Sequence, residues 1–489
     1  MMRIDPVIFR QYDIRGTVGV DLTPEVARAV GAAMGSEANE RLGRPATLAV
    51  GRDNRPSGES LMDALIAGLR GAGTTVLAVG VVPTPALYFA IQHLQADGGV
   101  QVTGSHNPPA MNGFKMVLGA LPVAGDDIQA LRERVEHGRF AAGTGSVATH
   151  DVLAPYAQEI LNRIGPLARP LAIVVDCGNG VASLTAPALL ESLGSRVDRL
   201  YCESDGTFPN HHPDPTELSN LRDLQARVVG GHADLGVAFD GDGDRIGVVD
   251  EGGAVLFGDQ ILALLGEDLV RRLGPGQEVI FDVKCSDGLV EALERAGARP
   301  IMWRTGHSFI KKKMKESGAK LAGEMSGHMF FGPPDYLGFD DALFAAARLL
   351  KIVAGQARPL SVLRGALPQY ISTPEIRVDC PEDRKTPVVA AAARYFAERY
   401  STLTIDGVRW RTADGWGLIR ASNTQSILGS DSRRRAPRGS RRSAAKPDRC
   451  CVPRGSAVWI HEPQSRRAGR RRGCPDRVVR RPLGGDQVH

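Results

Sequence analysis

Three aspartates alternate with glycines in "LGVAFDGDGDRIGVVD" (235–250): Asp240, Asp242 and Asp244. Carboxylates at i, i+2 and i+4 of a turn can aim three oxygens at one point, which suits a hard cation such as Mg2+. Without a cation between them, three like charges this close would repel. An EF-hand fits poorly. Glu251 falls at its twelfth position, but Arg245 occupies the sixth, where that loop requires glycine, and a strand-like run precedes it. A carboxylate trio around a divalent cation can polarise a phosphoryl oxygen, with Arg245 nearby to bind another phosphate. The second candidate is "QVTGSHNPPAMNGFK" (101–115). Pro108 disfavours helix at Asn107, so a loop is expected to hold Ser105 up at a strand end, with Lys115 ten residues on. A hydroxyl there can cap a helix, bind phosphate or act as a nucleophile. Beside a cation loop, Ser105 reads as the hydroxyl that carries or attacks phosphorus. A Ser-His-Asp hydrolase is disfavoured, because His106 is adjacent and neighbouring side chains of extended chain point apart. There is also no G-x-S-x-G elbow. A phosphatase with an aspartate nucleophile is a rival, since "FDGDGD" offers D-x-D after a strand.

These loops need a scaffold, and three segments supply the same one. "ATLAVGRD" (46–53) leads through "SLMDALIAGLRGAG" (60–73) to "TTVLAVGVVPTP" (74–85). "LAIVVDCGNG" (171–180) leads through "TAPALLESLGS" (185–195) to "RVDRLYCESDG" (196–206). "EVIFDVKCSDG" (278–288) leads through "LVEALERAGA" (289–298) to "RPIMWRTGHS" (299–308). Each reads as a buried strand, an amphipathic helix closed by glycine, and a second strand. Such β-α-β units predict parallel strands with right-handed crossovers, repeated in tandem domains. Ligands of such sheets gather beyond the strands' carboxyl ends. The chemistry is therefore expected in "GRDNRPSG", "TGSHNPP", "FDGDGDR", "DVKCSDG" and "RTGHS". The Arg-Asp pair of "GRDNRPSG" reads as a staple for its loop, and "KKKMK" (311–315) as a solvated helix face.

At 489 residues, with 43% hydrophobic and 24% charged residues, the chain has the composition of a globular protein. Its length predicts roughly three or four domains. Its start has no signal-peptide character, and no run of about 18 apolar residues predicts a membrane span. Seven irregularly spaced cysteines predict reduced thiols and a cytoplasmic location. The net charge of +5 hides an asymmetry. Residues 426–489 hold 16 Arg and one Lys against five acids, a net of +12, which leaves −7 on residues 1–425.

The combination of "TGSHNP", "DGDGDR", "GEMSGH" and "RASNT" resembles the α-D-phosphohexomutase superfamily, and most closely the bacterial phosphomannomutase/phosphoglucomutase group. The resemblance runs in order from Phe9 to Gln425. It implies three tandem α/β domains of similar mixed-sheet build (1–152, 153–254 and 255–367) and a smaller C-terminal α+β domain (368–425), around a central cleft. It also implies interconversion of hexose 6-phosphate and hexose 1-phosphate, through a phosphoserine and a hexose 1,6-bisphosphate intermediate. Ser105 would carry the phosphoryl group and complete the Mg2+ site of Asp240, Asp242 and Asp244. Glu324 and Ser326 would bind sugar hydroxyls, with His328 alongside. Lys115 and His307 match general acid/base candidates, Arg245 matches a phosphate-binding catalytic position, and Tyr12, Arg15 and Lys284 line the cleft. Arg420, Ser422, Asn423 and Thr424 would cradle the distal phosphate. The implied partner is a small phosphosugar, acting on a monomer, with no nucleic acid and no membrane. Met325 stands where phosphoglucosamine mutases usually carry Gln, which favours mannose and glucose phosphates. A sugar-phosphate-binding protein without turnover is the non-enzymatic alternative.

The resemblance stops where "SILGSDSRRRAPRGSRRSAAKPDRCCVPRGSAVW" begins. This segment has no period, and its composition predicts disorder over 426–489. It reads either as a basic arm for nucleic acid or an acidic partner or, as composition favours, as a reading-frame slip in a GC-rich gene. Either reading leaves the fourth domain incomplete, with the "GWGLIR" strand unpaired along one edge.

Overall fold

The structure is a computed structural model, and it describes residues 4–372, 376–413, 415–421 and 427–435. Each expected β-α-β unit is present. Thr47–Arg52 pairs in parallel with Thr75–Val81, Ala172–Asp176 with Arg196–Leu200, and Glu278–Asp282 with Arg299–Trp303. The intervening helices are Gly58–Gly71, Ala186–Ser192 and Asp287–Ala296. Sequence explains the first of these units. The strand "TLAVGR" is buried at its four central positions, and Leu61, Leu65 and Leu69 line one face of the helix that returns over it.

Antiparallel strands then make each of these first three sheets mixed, whereas the C-terminal sheet is antiparallel throughout. In the first, Met111–Leu118 runs antiparallel between Ile14–Thr17 and Gly98–Val102. In the second, Ile246–Asp250 folds back on Leu235–Phe239, so the carboxylate loop is the turn between them. In the third, Met329–Phe331 folds back on Leu321–Gly323, with the sugar-loop candidate "GEMSGH" between the two. One apolar core runs through the second and third units and takes in the helix Thr84–His93 of the first. A separate core fills the first sheet's other side. Among the described residues, no helix is long and apolar enough to cross a membrane.

The C-terminal sheet corrects an expectation. Gly415–Ala421 has both edges paired: Val408–Arg411 lies on one side and Ile427–Arg435 on the other. The latter strand also pairs with Tyr370–Ser372 and Ile376–Asp379, in a sheet of six strands. Residues 427–435 are therefore not disordered, and 436–489 lie outside the described residues. The physical reason is that ladder hydrogen bonds use backbone groups, which an Arg- and Ser-rich segment supplies as well as an apolar one. Leu428 and Gly429 are buried, while Ser430 and Arg433 are half-buried. Helix Glu382–Ala397 covers the sheet, with Phe396 stacked on Trp410 at 3.8 Å between ring centroids.

Candidate active site

Ser105 follows the Gly98–Val102 strand and adopts φ 49°, the left-handed region that non-glycine residues enter only under constraint. The constraint is visible. Arg55, fully buried, donates through Nη1 to the carbonyls of Pro108 (2.7 Å) and Met111 (3.0 Å). Its Nη2 donates to those of Ser105 (2.8 Å) and Asn107 (2.6 Å). Asp53 accepts from Thr103 Oγ1, Gly104 N and Arg55 Nε, which closes the clamp. Gly104 is required here, because a Cβ would meet the Arg55 guanidinium carbon at 2.5 Å. "GRDNRPSG" thus staples the serine loop, as its Arg-Asp pair suggested. Arg15 adds a bond from Nη1 to the Gly104 carbonyl (2.7 Å) while its Nε pairs with Asp13 (2.6 Å).

Held this way, Ser105 Oγ donates to Asp240 Oδ2 at 2.8 Å. It also lies 3.2 Å from His106 Nδ1, which corrects the expectation that these neighbours point apart. That expectation assumed extended backbone, and the left-handed turn at Ser105 brings the two side chains to one side. Burial, then the charge of Arg245, keeps the His106 imidazole well below its ordinary pKa, so it is neutral.

Asp240, Asp242 and Asp244 are fully buried, and each offers an oxygen within 4.8 Å of the others. Gly243, at φ 76°, turns the chain between the last two. Asp240 Oδ1 accepts from the amides of Asp244 and Arg245, which orients the first carboxylate. Lys115 Nζ reaches Asp242 Oδ2 at 2.7 Å and also Asp244 Oδ2, and Thr84 Oγ1 donates to Asp242 Oδ2 at 2.5 Å. Asp242 Oδ1 and Asp244 Oδ1 remain buried without a hydrogen-bond partner. Buried carboxylate oxygens with no donor are costly, and a divalent cation resolves that cost, so the donor set fits Mg2+. Burial, then Asp242 and Asp244, pushes Asp240 well above the carboxylate range. Burial acts the same way on Asp242, but Lys115 overrides it and holds Asp242 below that range. The Lys115 ammonium is stabilised in turn: burial opposes its charge, and Asp242 and Asp244 outweigh burial.

The third domain closes over this loop. Arg245 and His328 form a backbone bridge, and Arg245 Nε donates to His328 Nε2 at 3.0 Å. His328 Nδ1 faces Asp340 Oδ2 at 3.0 Å and Asp244 Oδ1 at 3.5 Å. Glu324 Oε1 accepts from Gly306 N at 2.6 Å, and burial raises its carboxyl above the ordinary range. His307 starts the helix His307–Ser317, lies edge-on to Tyr12 at 5.2 Å and stacks near His328 at 5.6 Å. Neither His307 nitrogen has a hydrogen-bond partner, and burial, then Lys311, keeps the ring well below its ordinary pKa. Burial, with Asp13 and Glu324, raises the Tyr12 phenol to about 12. Ser326 and Lys284 are half-buried, and Lys284 is close enough to Glu324 to favour its ionised form.

From the fourth domain, Arg420 Nε donates to Asp406 Oδ2 at 3.1 Å, and the Thr305 amide donates to the same oxygen at 3.0 Å. This brings Arg420 to the loop that carries His307. Ser422, Asn423 and Thr424 lie outside the described residues. The structure therefore brings Tyr12, Arg15, Ser105, Lys115, the three aspartates, Arg245, His307, Glu324 and His328 around one locus, with Arg420 at its edge.

Two residues here escaped the sequence reading. Lys311 was assigned to a solvated face, yet it is 8% exposed, pairs with Asp340 Oδ1 at 2.8 Å and lies over the Tyr88 ring at 4.2 Å. Asp340 is fully buried between Lys311 and His328; burial alone would raise it, but Lys311 and His328 hold it well below the carboxylate range. Helical spacing was the available signal for Lys311, because positions 307, 311 and 314 share one face.

Known proteins share this layout. Four family profiles match in order. The three described as "Phosphoglucomutase/phosphomannomutase, alpha/beta/alpha domain" I, II and III cover 6–142, 154–253 and 257–370, and the C-terminal domain covers 375–428. A phosphomannomutase/phosphoglucomutase from Pseudomonas aeruginosa is 52% identical over 423 residues, 86% of this chain and 90% of that one. A phosphoglucomutase from Neisseria gonorrhoeae is 46% identical over 433 residues, 88% of this chain and 93% of that one. The crystal structure of a phosphoglucomutase/phosphomannomutase family protein from Burkholderia thailandensis superposes with a TM-score of 0.82 at 44% identity. That superposition covers 89% of this chain and 94% of the other.

Proposed function

The chain belongs to the phosphoglucomutase/phosphomannomutase family, and from that premise we propose that it interconverts hexose 6-phosphate and hexose 1-phosphate through a phosphorylated Ser105. The observation that carries this reading is the 2.8 Å contact of Ser105 Oγ with Asp240, at a carboxylate trio with two donorless oxygens. The sugars are mannose and glucose phosphates, on the strength of Met325 in the sugar loop and of the relatives' names. The protein works as a cytoplasmic monomer on a small phosphosugar, with hexose 1,6-bisphosphate as its intermediate.

Phosphoryl transfer depends mainly on positioning and charge stabilisation. Asp240, Asp242 and Asp244 would hold Mg2+, which supplies Lewis-acid polarisation of a phosphoryl oxygen on Ser105. Arg55 and Arg15 fix the loop so that Oγ meets its partner without reorganisation. Arg245 and Arg420 offer guanidinium groups to the two phosphates, and the likeness of "RASNT" to the family's motif assigns Ser422, Asn423 and Thr424 to the distal phosphate. Glu324 and Ser326 accept and donate to ring hydroxyls, and Tyr12, Lys284 and His328 line the cleft around them. His307, neutral and without a partner, is free to take a proton from a sugar hydroxyl. Lys115 holds its proton while it contacts two carboxylates, so it donates only once that contact is broken. Burial of Ser105, Lys115 and the three aspartates limits the access of water to the phosphoserine, which separates a mutase from a phosphatase.

Ser105→Ala tests the reading. Turnover is expected to vanish while sugar phosphate still binds, because the variant lacks a transition-state participant. Intact-mass measurement should show a monophosphorylated fraction in the wild type and none in the variant. Full activity in Ser105→Ala would end the mutase reading, and release of inorganic phosphate instead of isomerised sugar would favour a phosphatase.

A further inference from the structure

Away from the reacting groups, two sulfurs meet. Cys177 follows the Ala172–Asp176 strand, Cys202 follows the parallel Arg196–Leu200 strand, and Cys202 Sγ donates to Cys177 Sγ across 3.3 Å. Both are free thiols; Cys177 is buried and Cys202 half-buried. Their strands are in register, with Asp176 opposite Leu200, and the Cys177 amide donates to the Leu200 carbonyl. A disulfide holds its sulfurs at about 2.05 Å, so the remaining gap is on the order of 1 Å. We propose that Cys177 and Cys202 form an oxidisable dithiol, which a hydroperoxide converts to an intramolecular disulfide and a thiol reductant restores.

The two positions are unequal, as such chemistry requires. When Cys202 ionises, the Cys177 S–H becomes the donor to its sulfur, which draws Cys202 below its ordinary range, while burial pushes Cys177 well above its own. Cys202 is also the more accessible sulfur. Its thiolate attacks one peroxide oxygen, the O–O bond breaks, and the leaving hydroxide takes a proton to become water. The resulting sulfenic acid is attacked by Cys177 sulfur, and its hydroxyl leaves with the Cys177 proton as a second water. The two sulfurs lose two electrons in total, and the peroxide gains them.

The bond would be felt at the carboxylate loop. The Cys177 carbonyl accepts from Gly180 N, and Val181 N donates to the carbonyl of Gly241, which stands between Asp240 and Asp242. No slack exists at this contact, since a Cβ on Gly180 would meet Gly241 O at 2.9 Å. Asn179 ties the two cysteine loops together through Tyr201 O and Glu203 O. Drawing Cys177 toward Cys202 therefore shifts the support under Gly241, and metal-ligand loops tolerate only about 0.5 Å of error. This effect on turnover rests on the proposed mutase activity; the disulfide itself does not.

The experiment treats the full chain with hydrogen peroxide, digests it without reduction, and maps cysteine linkages by mass spectrometry, with turnover measured in parallel. The expected result is one cross-linked peptide pair joining Cys177 and Cys202, lighter by two hydrogens. A several-fold fall in kcat should accompany it and reverse with dithiothreitol. Cys202→Ser, with Cys202→Ala as a second variant, should keep its kcat through the same treatment. Peptides that retain both free thiols, or that carry oxygen on each sulfur without a cross-link, would overturn the proposal whether or not the protein turns over. An equal peroxide-driven loss of turnover in both variants would overturn the coupling to the carboxylate loop.

Discussion

Ser105, Asp242 and His307 show how burial shapes chemistry at a single side chain. Asp242 accepts from Lys115 and Thr84 on one oxygen and leaves the other without a donor. Asp242→Asn keeps that shape and removes one charge, so Mg2+ affinity should fall, and turnover with it by about tenfold or more. Calorimetric titration with Mg2+ and an assay with and without chelator check this. Turnover indifferent to chelation would overturn the role of Mg2+, and no turnover with or without Mg2+ would favour a binding protein. His307 makes a second prediction, about stability. Its folded-state pKa is depressed by burial, so the native protein keeps it neutral, while the unfolded chain takes up a proton near pH 6.5. The unfolded state then binds more protons below that pH. The stabilisation is whole above about pH 6.5 and is lost progressively as pH falls, at up to about 1.4 kcal/mol per pH unit. His106 is depressed for the same reason and adds a like contribution. His307→Gln should therefore flatten the fall in urea midpoint between pH 7.5 and pH 5.5 without abolishing it. An unchanged slope would mean that His307 is protonated in the native state.

At the scale of elements, the parallel units and the site loops at their strand ends were legible, because strand burial and helix periodicity report directly on backbone path. What stayed hidden depends on contacts made across units. The Ser105–His106 contact required the φ of one residue, which Arg55 imposes from 50 positions away. Lys311 looked solvated among like charges, and only its pairing with Asp340 and Tyr88, on other elements, makes burial tolerable. Asp341 is a similar case with a measurable consequence. It caps the helix Ala342–Ala354 through the Phe344 amide and also accepts from the hydroxyls of Tyr156 and Tyr336. Asp341→Ala removes the cap and leaves two buried phenols without an acceptor, so it should cost about 3 kcal/mol. Asp341→Asn retains an acceptor and should cost under about 1.5 kcal/mol. Urea unfolding of the two variants separates these outcomes, and equal losses would show that charge matters more here than the hydrogen bonds.

Among the described residues, loops of the first three sheets meet around Ser105 and the carboxylate trio with Arg420 of the fourth at their edge, and that last sheet depends on a strand that composition alone argued against. Ile427–Arg435 pairs with all seven residues of Gly415–Ala421, the strand that carries Arg420. It also sends Arg433 to Asp259 Oδ2 at 2.8 Å and to Met325 Sδ at 3.4 Å, which ties the fourth domain to the third. Arg409 makes a second tie, through the carbonyls of Val283 and Cys285 and the Asp287 carboxylate. If residues 427–435 support Arg420, a chain ending at Arg435 should retain the hexose phosphate KM of the full chain. A chain ending at Gln425 leaves Gly415–Ala421 with an open edge. Arg420 must then be ordered on binding, which consumes contact energy, so KM should rise about tenfold or more while the chemistry around Ser105 is untouched. Arg433→Ala should fall between, because it loses the tie and keeps the strand. Steady-state kinetics on the three chains, with limited proteolysis of each, makes the comparison. Early cleavage within 376–421 is expected only in the chain ending at Gln425. If that chain matches the full one in KM and resists protease equally, Arg420 is held by Asp406 and the Val408–Arg411 strand alone.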